Sequence, residues 1–222
     1  MEYSNHKNEL VAINVDYQNH RHMYRFFKRV FDIVASFIGL ILLSPLFVII
    51  ALAIKIEEPQ GAVFYSQIRL GRHKKPFKMY KFRSMIENAD DLLKGLLDKN
   101  EVEGAMFKIK SDPRVTTVGG FIRKFSLDEL PQLFNVLLGQ MSLVGPRPPL
   151  PREVEEYTSY DMQRLTVKPG CTGLWQVTER NNVGFEEMVQ LDLEYINNRG
   201  ALFDLYVLFR TLFVFFKPNG AY

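Results

Sequence analysis

The chain has 222 residues, 47% hydrophobic and 24% charged, with a formal net charge of +3. These proportions exclude a disordered chain, a collagen-like repeat, a multi-span transporter and a histone-like polycation. One cysteine, Cys171, and four histidines leave no material for a disulfide framework or a thiolate- or histidine-rich metal site. The charge is uneven: residues 1–83 carry 13 Lys/Arg against 6 Asp/Glu, and the remainder is mildly acidic.

Residues 1–24 have weak periodicity and read as a flexible N-terminal arm. Its end and the residues after it, from Arg21 to Arg29, interleave cations with Tyr24, Phe26 and Phe27, which suits a lipid headgroup layer. Residues 25–56 form a membrane segment. Within it, residues 30–54 are an apolar run whose only charge is Asp32, and about 20 apolar residues suffice to span a bilayer. Its middle holds Ser44-Pro45, where proline removes a backbone donor and disfavours helix at the preceding residue. Two outcomes are open: a kinked helix that crosses, which is common, or a helix–break–helix that returns to its own side. Basic residues flank both ends, so the positive-inside rule does not choose. A serine hydroxyl could satisfy a carbonyl that the proline frees.

Residues 57–222 form the remaining domain. Glu57-Glu58-Pro59-Gln60-Gly61 ends the membrane helix, and residues 62–68 and 77–83 form strands of a hairpin turning at 71–75. Seven Lys/Arg fall within residues 69–83, and Lys81 and Arg83, two apart on a strand, could hold one anion together. Phosphate or anionic lipid suits this patch; nucleic acid is disfavoured so close to a membrane segment. Helices are expected at 84–99, with a Ser84/Glu87 capping box, and at 128–138, 153–165 and 185–198. Residues 141–151 read as a Pro-rich loop and 168–173 as a turn. Residues 201–217 fit either an amphipathic interfacial helix or a core helix. The fold class is α+β, mostly helical with a small β-hairpin.

Four further motifs carry chemistry. Ser126-Leu127-Asp128-Glu129 reads either as a capping box or as an acid pair at a helix start, able to bind Mg²⁺ or supply a phosphoryl-transfer nucleophile. In Gly145-Pro146-Arg147-Pro148 the flanking prolines restrict an arginine, as in an anion contact or a stiff linker. Residues 168–182 combine tight-turn glycines with Arg180-Asn181; Cys171 and Trp175 there read as packing. Asp192, among apolar neighbours, reads as a buried ion-pair partner or a ligand contact. No Walker A, Rossmann, nucleophile-elbow or zincin motif occurs.

In order, Lys28-Arg29-Val30-Phe31-Asp32, Ser44-Pro45, Tyr80-Lys81-Phe82-Arg83-Ser84-Met85, Ser126-Leu127-Asp128-Glu129-Leu130-Pro131-Gln132, Gly145-Pro146-Arg147-Pro148 and the Pro169–Asn181 pattern resemble the bacterial sugar transferase family. These are monotopic phosphoglycosyl transferases that begin lipid-linked polysaccharide assembly. The resemblance implies transfer of a sugar 1-phosphate from a UDP-sugar to polyprenyl (undecaprenyl) phosphate with release of UMP. Asp128 would be the nucleophile and a magnesium ligand, Glu129 its assistant, and Mg²⁺ the cofactor. Lys81, Arg83, Arg123, Arg147, Arg180, Asn181 and Asp192 become phosphate or nucleotide contacts. Ser44-Pro45 becomes the break of a re-entrant helix on the cytoplasmic face of the bacterial cell membrane, with interfacial helices beside it. A homodimer and downstream glycosyltransferases are the further partners implied. The ending Gly220-Ala221-Tyr222 is reminiscent of glucose or galactose 1-phosphate transferases of capsule and exopolysaccharide synthesis. Two rivals stand beside it: a tethered anionic-lipid-binding module without catalysis, and a glycosyltransferase that releases UDP.

Overall fold

The computed structural model describes residues 12–14, 20–92, 109, 112–178 and 184–216. The chain is α+β and mostly helical, with two two-stranded sheets among the described residues. Helix α1, His22–Glu57, has 36 residues and is long and apolar enough to cross a membrane by length and composition. At 1.5 Å per residue it measures about 54 Å if straight. It continues through Pro45, so the expected Ser-Pro break does not interrupt the helix. The reason is local. Pro45 cannot donate to the Ile41 carbonyl one turn back, and the Ser44 hydroxyl donates to that same oxygen at 2.8 Å.

One face of α1 lies against the rest of the protein and buries Asp32, Ser36, Ile50 and Ile54. The other leaves Phe31, Val34, Phe37, Ile41, Leu42, Val48 and Leu52 exposed, an apolar stripe with no protein partner among the described residues. Both ends are fastened. At the N-terminal end, Tyr24 Oη and Lys28 Nζ donate to Asp204 at 2.7 and 2.9 Å, and Asp32 accepts from the Leu143 N–H at 3.0 Å. At the C-terminal end, Ile50 and Ile54 pack with Phe82 and Ile122, and Glu57 accepts from the N–H groups of Thr117 and Val118. Residues 12–14 of the expected flexible arm are also held: the Ile13 N–H donates to Gln163 and the Asn14 N–H to Asn197. The rest of residues 1–19 lies outside the described residues.

Strands β1 (Phe64–Leu70) and β2 (Pro76–Phe82) form the expected hairpin, with Tyr65 opposite Lys81, Gln67 opposite Met79 and Arg69 opposite Phe77. Those six residues share one face. The other face carries Phe82, buried under α1. Of the helix expected at 84–99, the described residues hold α2 (Ala89–Leu92), and residues 93–99 lie outside them. Ser84 does not cap it: its carbonyl accepts from Thr116, and Met85 bridges to Val115. Helix α3 (Thr117–Lys124), which the sequence reading passed over, starts under the Thr116 side chain, which accepts from the Gly119 N–H.

Helix α4 (Gln132–Leu137) is docked on β2 by Asn135, whose carboxamide accepts from the Tyr80 N–H and donates to the Lys78 carbonyl. Residues 141–151 and 168–173 are one structural piece: β3 (Ser142–Val144) pairs in parallel with β4 (Gly170–Thr172). Gly145 and Gly170 meet backbone to backbone, and a Cβ on Gly170 would stand 2.1 Å from the Gly145 nitrogen. The expected helix at 153–165 is divided into α5 (Pro151–Glu155) and a 3-10 turn, Asp161–Thr166. Helices α6 (Leu174–Thr178), α7 (Phe185–Asn198) and α8 (Ala201–Phe216) follow. Helix α8 buries Asp204 and Val207, as expected of a core helix, and exposes Leu202, Phe209 and Phe213. The main core joins β3, α6, α7 and α8 around Leu174, Met188, Val189, Leu193, Ile196 and Val207, with Trp175 packed against it.

Two stability changes follow from these contacts. Gly170→Ala forces β3 and β4 apart and costs about 1–3 kcal/mol, read as a lowered thermal midpoint of the detergent-held protein. Asp204→Asn weakens the charged hydrogen bonds from Lys28, Tyr24 and Tyr195 and costs about 1–3 kcal/mol by the same measurement.

Candidate active site

The acidic dyad lies between α3 and α4. Ser126 is left-handed (φ 53°), and Leu127–Glu129 forms a single 3-10 turn before Pro131 leads into α4. The Ser126 side chain makes no capping bond, so the capping box is not formed and Glu129 is free to face elsewhere. It faces Lys81. The Lys81 ammonium stands 2.6 Å from Glu129 Oε1 and 3.8 Å from Asp128 Oδ2.

This arrangement separates the two acids electrostatically. Burial pushes the Asp128 carboxyl up to about 6, opposed by Lys81 and Arg123 and reinforced by Glu129. Burial acts on Glu129 in the same sense, but Lys81, Arg69 and Arg147 outweigh it and hold this carboxylate below its ordinary range. Glu129 is thus a fixed anion, while Asp128 is a carboxylate raised towards neutrality, with its side chain only 10% exposed.

Two cavities meet at the dyad. One, of about 270 Å³, reaches Asp128; the other, of about 240 Å³, reaches Glu129; Lys81, Arg69 and Arg147 border both. Arg83 and Arg123, from the end of the hairpin and from α3, join Asp128 in the first. One buried Arg123 guanidinium nitrogen has no hydrogen-bond partner among the described residues. Arg147 is held by Glu153 through two contacts of 3.0 and 3.3 Å. The proline-flanked arginine is therefore aimed by a buried carboxylate as well as by its backbone. The anion-binding character is that of a site for phosphate groups, which are recognised by forked guanidinium donors and point-like ammonium groups.

The structure therefore brings together Lys81, Arg83, Arg123, Asp128, Glu129 and Arg147. Asp192 is not among them. It is fully buried and paired with Arg164, whose guanidinium also donates to the Arg147 carbonyl and the Tyr157 hydroxyl. The ion-pair reading of Asp192 holds and its ligand-contact reading fails, because a carboxylate sealed in the core cannot meet a phosphate. Arg180 and Asn181 lie outside the described residues. Cys171 packs with Phe77, Met79, Val136 and Met141, and burial pushes its thiol up, out of the reactive range.

Sequence reasoning missed Glu153 and placed Arg69 only within the basic patch of residues 69–83. Arg69 donates to Gln67 and to the Pro148 carbonyl and borders both cavities. Its signal was the Gln67-x-Arg69 spacing, which puts both side chains on the Lys81 face. Glu153 had no signal beyond a polar residue near a proline, since its role depends on a contact formed only in the fold.

Residues 23–218 match the family described as Bacterial sugar transferase. The chain is 46% identical over 218 residues to an undecaprenyl-phosphate galactose phosphotransferase of Salmonella typhimurium, covering 96% of this chain and 45% of that one. It is 42% identical over 199 residues to the exopolysaccharide production protein ExoY of Rhizobium meliloti, covering 88% of each. It is 42% identical over 206 residues to a UDP-glucose:undecaprenyl-phosphate glucose-1-phosphate transferase of Klebsiella pneumoniae, covering 88% of this chain and 41% of that one. The chain spans less than half the length of the Salmonella and Klebsiella relatives. With a match across nearly the whole chain, and a relative covered over most of its own length, the protein belongs to the bacterial sugar transferase family.

Proposed function

We propose that the protein transfers a hexose 1-phosphate, glucose or galactose 1-phosphate, from a UDP-sugar to undecaprenyl phosphate and releases UMP. The observation that carries this reading is Lys81 set between a raised Asp128 and a fixed Glu129 anion, in cavities walled by arginines. Asp128 attacks the β-phosphorus of the UDP-sugar. The bond from that phosphorus to the bridging oxygen breaks, and UMP leaves with the bridging electron pair. The sugar phosphate is then held as a glycosyl-phospho-aspartate. An oxygen of undecaprenyl phosphate attacks the same phosphorus and returns Asp128 as a carboxylate. Lys81, Arg83, Arg123 and Arg147 position and neutralise the diphosphate, as phosphoryl transfer requires.

Magnesium fits this donor set. Mg²⁺ is commonly held by one or two carboxylates together with substrate phosphates and water, and the described residues offer that minimum at Asp128 and Glu129 rather than a cage of three or more acids. Bound there, it would neutralise charge on the diphosphate.

Membrane placement completes the reading. Helix α1 enters and leaves on the cytoplasmic face, turning by a bend near Ser44-Pro45. What supports this is that both ends of α1 are fastened to one domain: Lys28 and Asp32 at one end, Ile54 and Glu57 at the other. A soluble nucleotide sugar and a lipid phosphate then reach the same dyad.

The test is nucleotide release with UDP-glucose or UDP-galactose, Mg²⁺ and undecaprenyl phosphate. Wild type forms UMP, and Asp128→Asn loses at least about a thousandfold of the rate with its fold intact by circular dichroism. Release of UDP instead sinks the phosphoryl-transfer reading. The pH profile is a second check. Asp128 attacks only when deprotonated, so kcat/KM rises through about pH 6 and levels above it. Lys81→Gln removes the main charge opposing protonation and moves that rise to higher pH, whereas Lys81→Arg keeps it nearer its place.

A further inference from the structure

A third cavity, of about 250 Å³, opens beside the N-terminal end of α1 and shares no bordering residue with the two cavities at the dyad. Six cations border it: Arg25, Lys28, Arg29, Arg72, Lys168 and Arg199. Asp32 is the one carboxylate in its wall, and it is engaged by the Leu143 N–H. Asp204 behind the wall answers Lys28, Arg29 donates to the Val136 and Leu137 carbonyls, and Arg25 contacts His22. The six cations converge from separate elements: α1, the hairpin turn, the approach to β4 and the end of α7. Arg72 reaches in from the turn, anchored by its Nε–H to the Thr166 carbonyl. Arg29 and Lys168 crowd one point, lying 3.1 and 3.5 Å from where a Cβ on Gly139 would stand. Gly139 has φ 78°, so the chain passes there without a side chain to part them. Burial, then the Arg29 charge, pushes the Lys168 ammonium down from its ordinary value, opposed by the Asp32 carboxylate. A fold that assembles like charges in this way is stabilised by an anion between them.

Position says which anion. The cavity wall includes Tyr24, Lys28 and Asp32, on the inward face of the stretch of α1 whose outward face exposes Met23, Phe26, Phe27 and Phe31. That level of a membrane helix is the headgroup layer, where basic pockets collect lipid phosphates. The dyad is elsewhere: Arg72 is in the hairpin turn, and Lys81 is near the far end of β2, roughly 15–20 Å along the strand.

We propose that this cavity binds the phosphate of an anionic membrane phospholipid, with the acyl chains leaving along the apolar face of α1. The site seats the enzyme at a fixed depth and is separate from the substrate sites. The proposal rests on membrane attachment of α1 and not on the chemistry of the dyad.

The experiment titrates the full chain in mixed micelles with fluorescently labelled phosphatidylglycerol and follows anisotropy. Wild type prefers phosphatidylglycerol to phosphatidylcholine. Lys168→Gln and Arg72→Gln each weaken binding about fivefold, and together about 25-fold, as expected for roughly one lost surface charge each. The double variant Lys74→Gln/Lys75→Gln, exposed on the same turn but outside the cavity, binds as wild type does, and so does Asp128→Asn. Three outcomes overturn the proposal. Full binding by the Lys168/Arg72 double variant removes the site. Displacement of the probe by inorganic phosphate at matching concentrations makes it a soluble-anion site. Displacement by polyprenyl phosphate far below the concentration of phosphatidylglycerol needed makes it an acceptor site. Because the readout is lipid binding, failure of the UMP-release reading would leave this result interpretable on its own.

Discussion

A helix of six residues, α4, joins everything that matters in this protein. Its entry turn carries Asp128 and Glu129. Its middle is bound to the open edge of β2 by the Asn135 carboxamide, which takes the place of a third strand for Tyr80 and Lys78. Its last carbonyls, Val136 and Leu137, accept from the Arg29 guanidinium at 2.6 and 2.8 Å. Those carbonyls have no partner inside the helix, and a cation there also complements the helix dipole. A two-stranded sheet is marginal alone, and a helix this short is no more stable. Each exists because the other is present, and α1 closes the set from the membrane side.

The same arrangement explains how one lysine serves two acids. Lys81 reaches the dyad because β2 is locked to α4, and its partner strand places Arg69 on the same face. The contact at 2.6 Å keeps Glu129 charged, while the looser one at 3.8 Å leaves burial in command of Asp128. Two adjacent residues in the chain thus acquire different proton affinities from their positions around a single ammonium group. That division is what the proposed nucleophile and its charged neighbour require.

Much of this was legible in the residues, and the misses have physical causes. The hairpin, α7 and α8 were readable because periodicity and turn chemistry agree over many residues. The dyad and its cations were singled out by the ordered resemblance, since Ser126-x-x-Glu129 by itself reads equally as a capping box. Helix α3 was missed because Gly119 and Gly120 lower its propensity, while its cap and a packed face decide the matter. Strands β3 and β4 were missed because three residues flanked by glycine and proline carry no period. Asp192 fell to its bland reading because no local pattern reveals a partner 28 residues away.

The fastening of α1 has a practical side for anyone wishing to handle the protein. A hydrophobic anchor is often treated as a detachable handle, to be cut away so that the rest can be studied in buffer. Here the anchor supplies Ile50 and Ile54 to the pocket around Phe82, Glu57 to the start of α3 and Arg29 to the end of α4. Trimming it would leave unfilled space under the hairpin and bare polar ends on both helices that flank the dyad. The detergent-free fragment is therefore a damaged protein, and solubility has to come from redesigning the outward face of α1 while its inward face is kept.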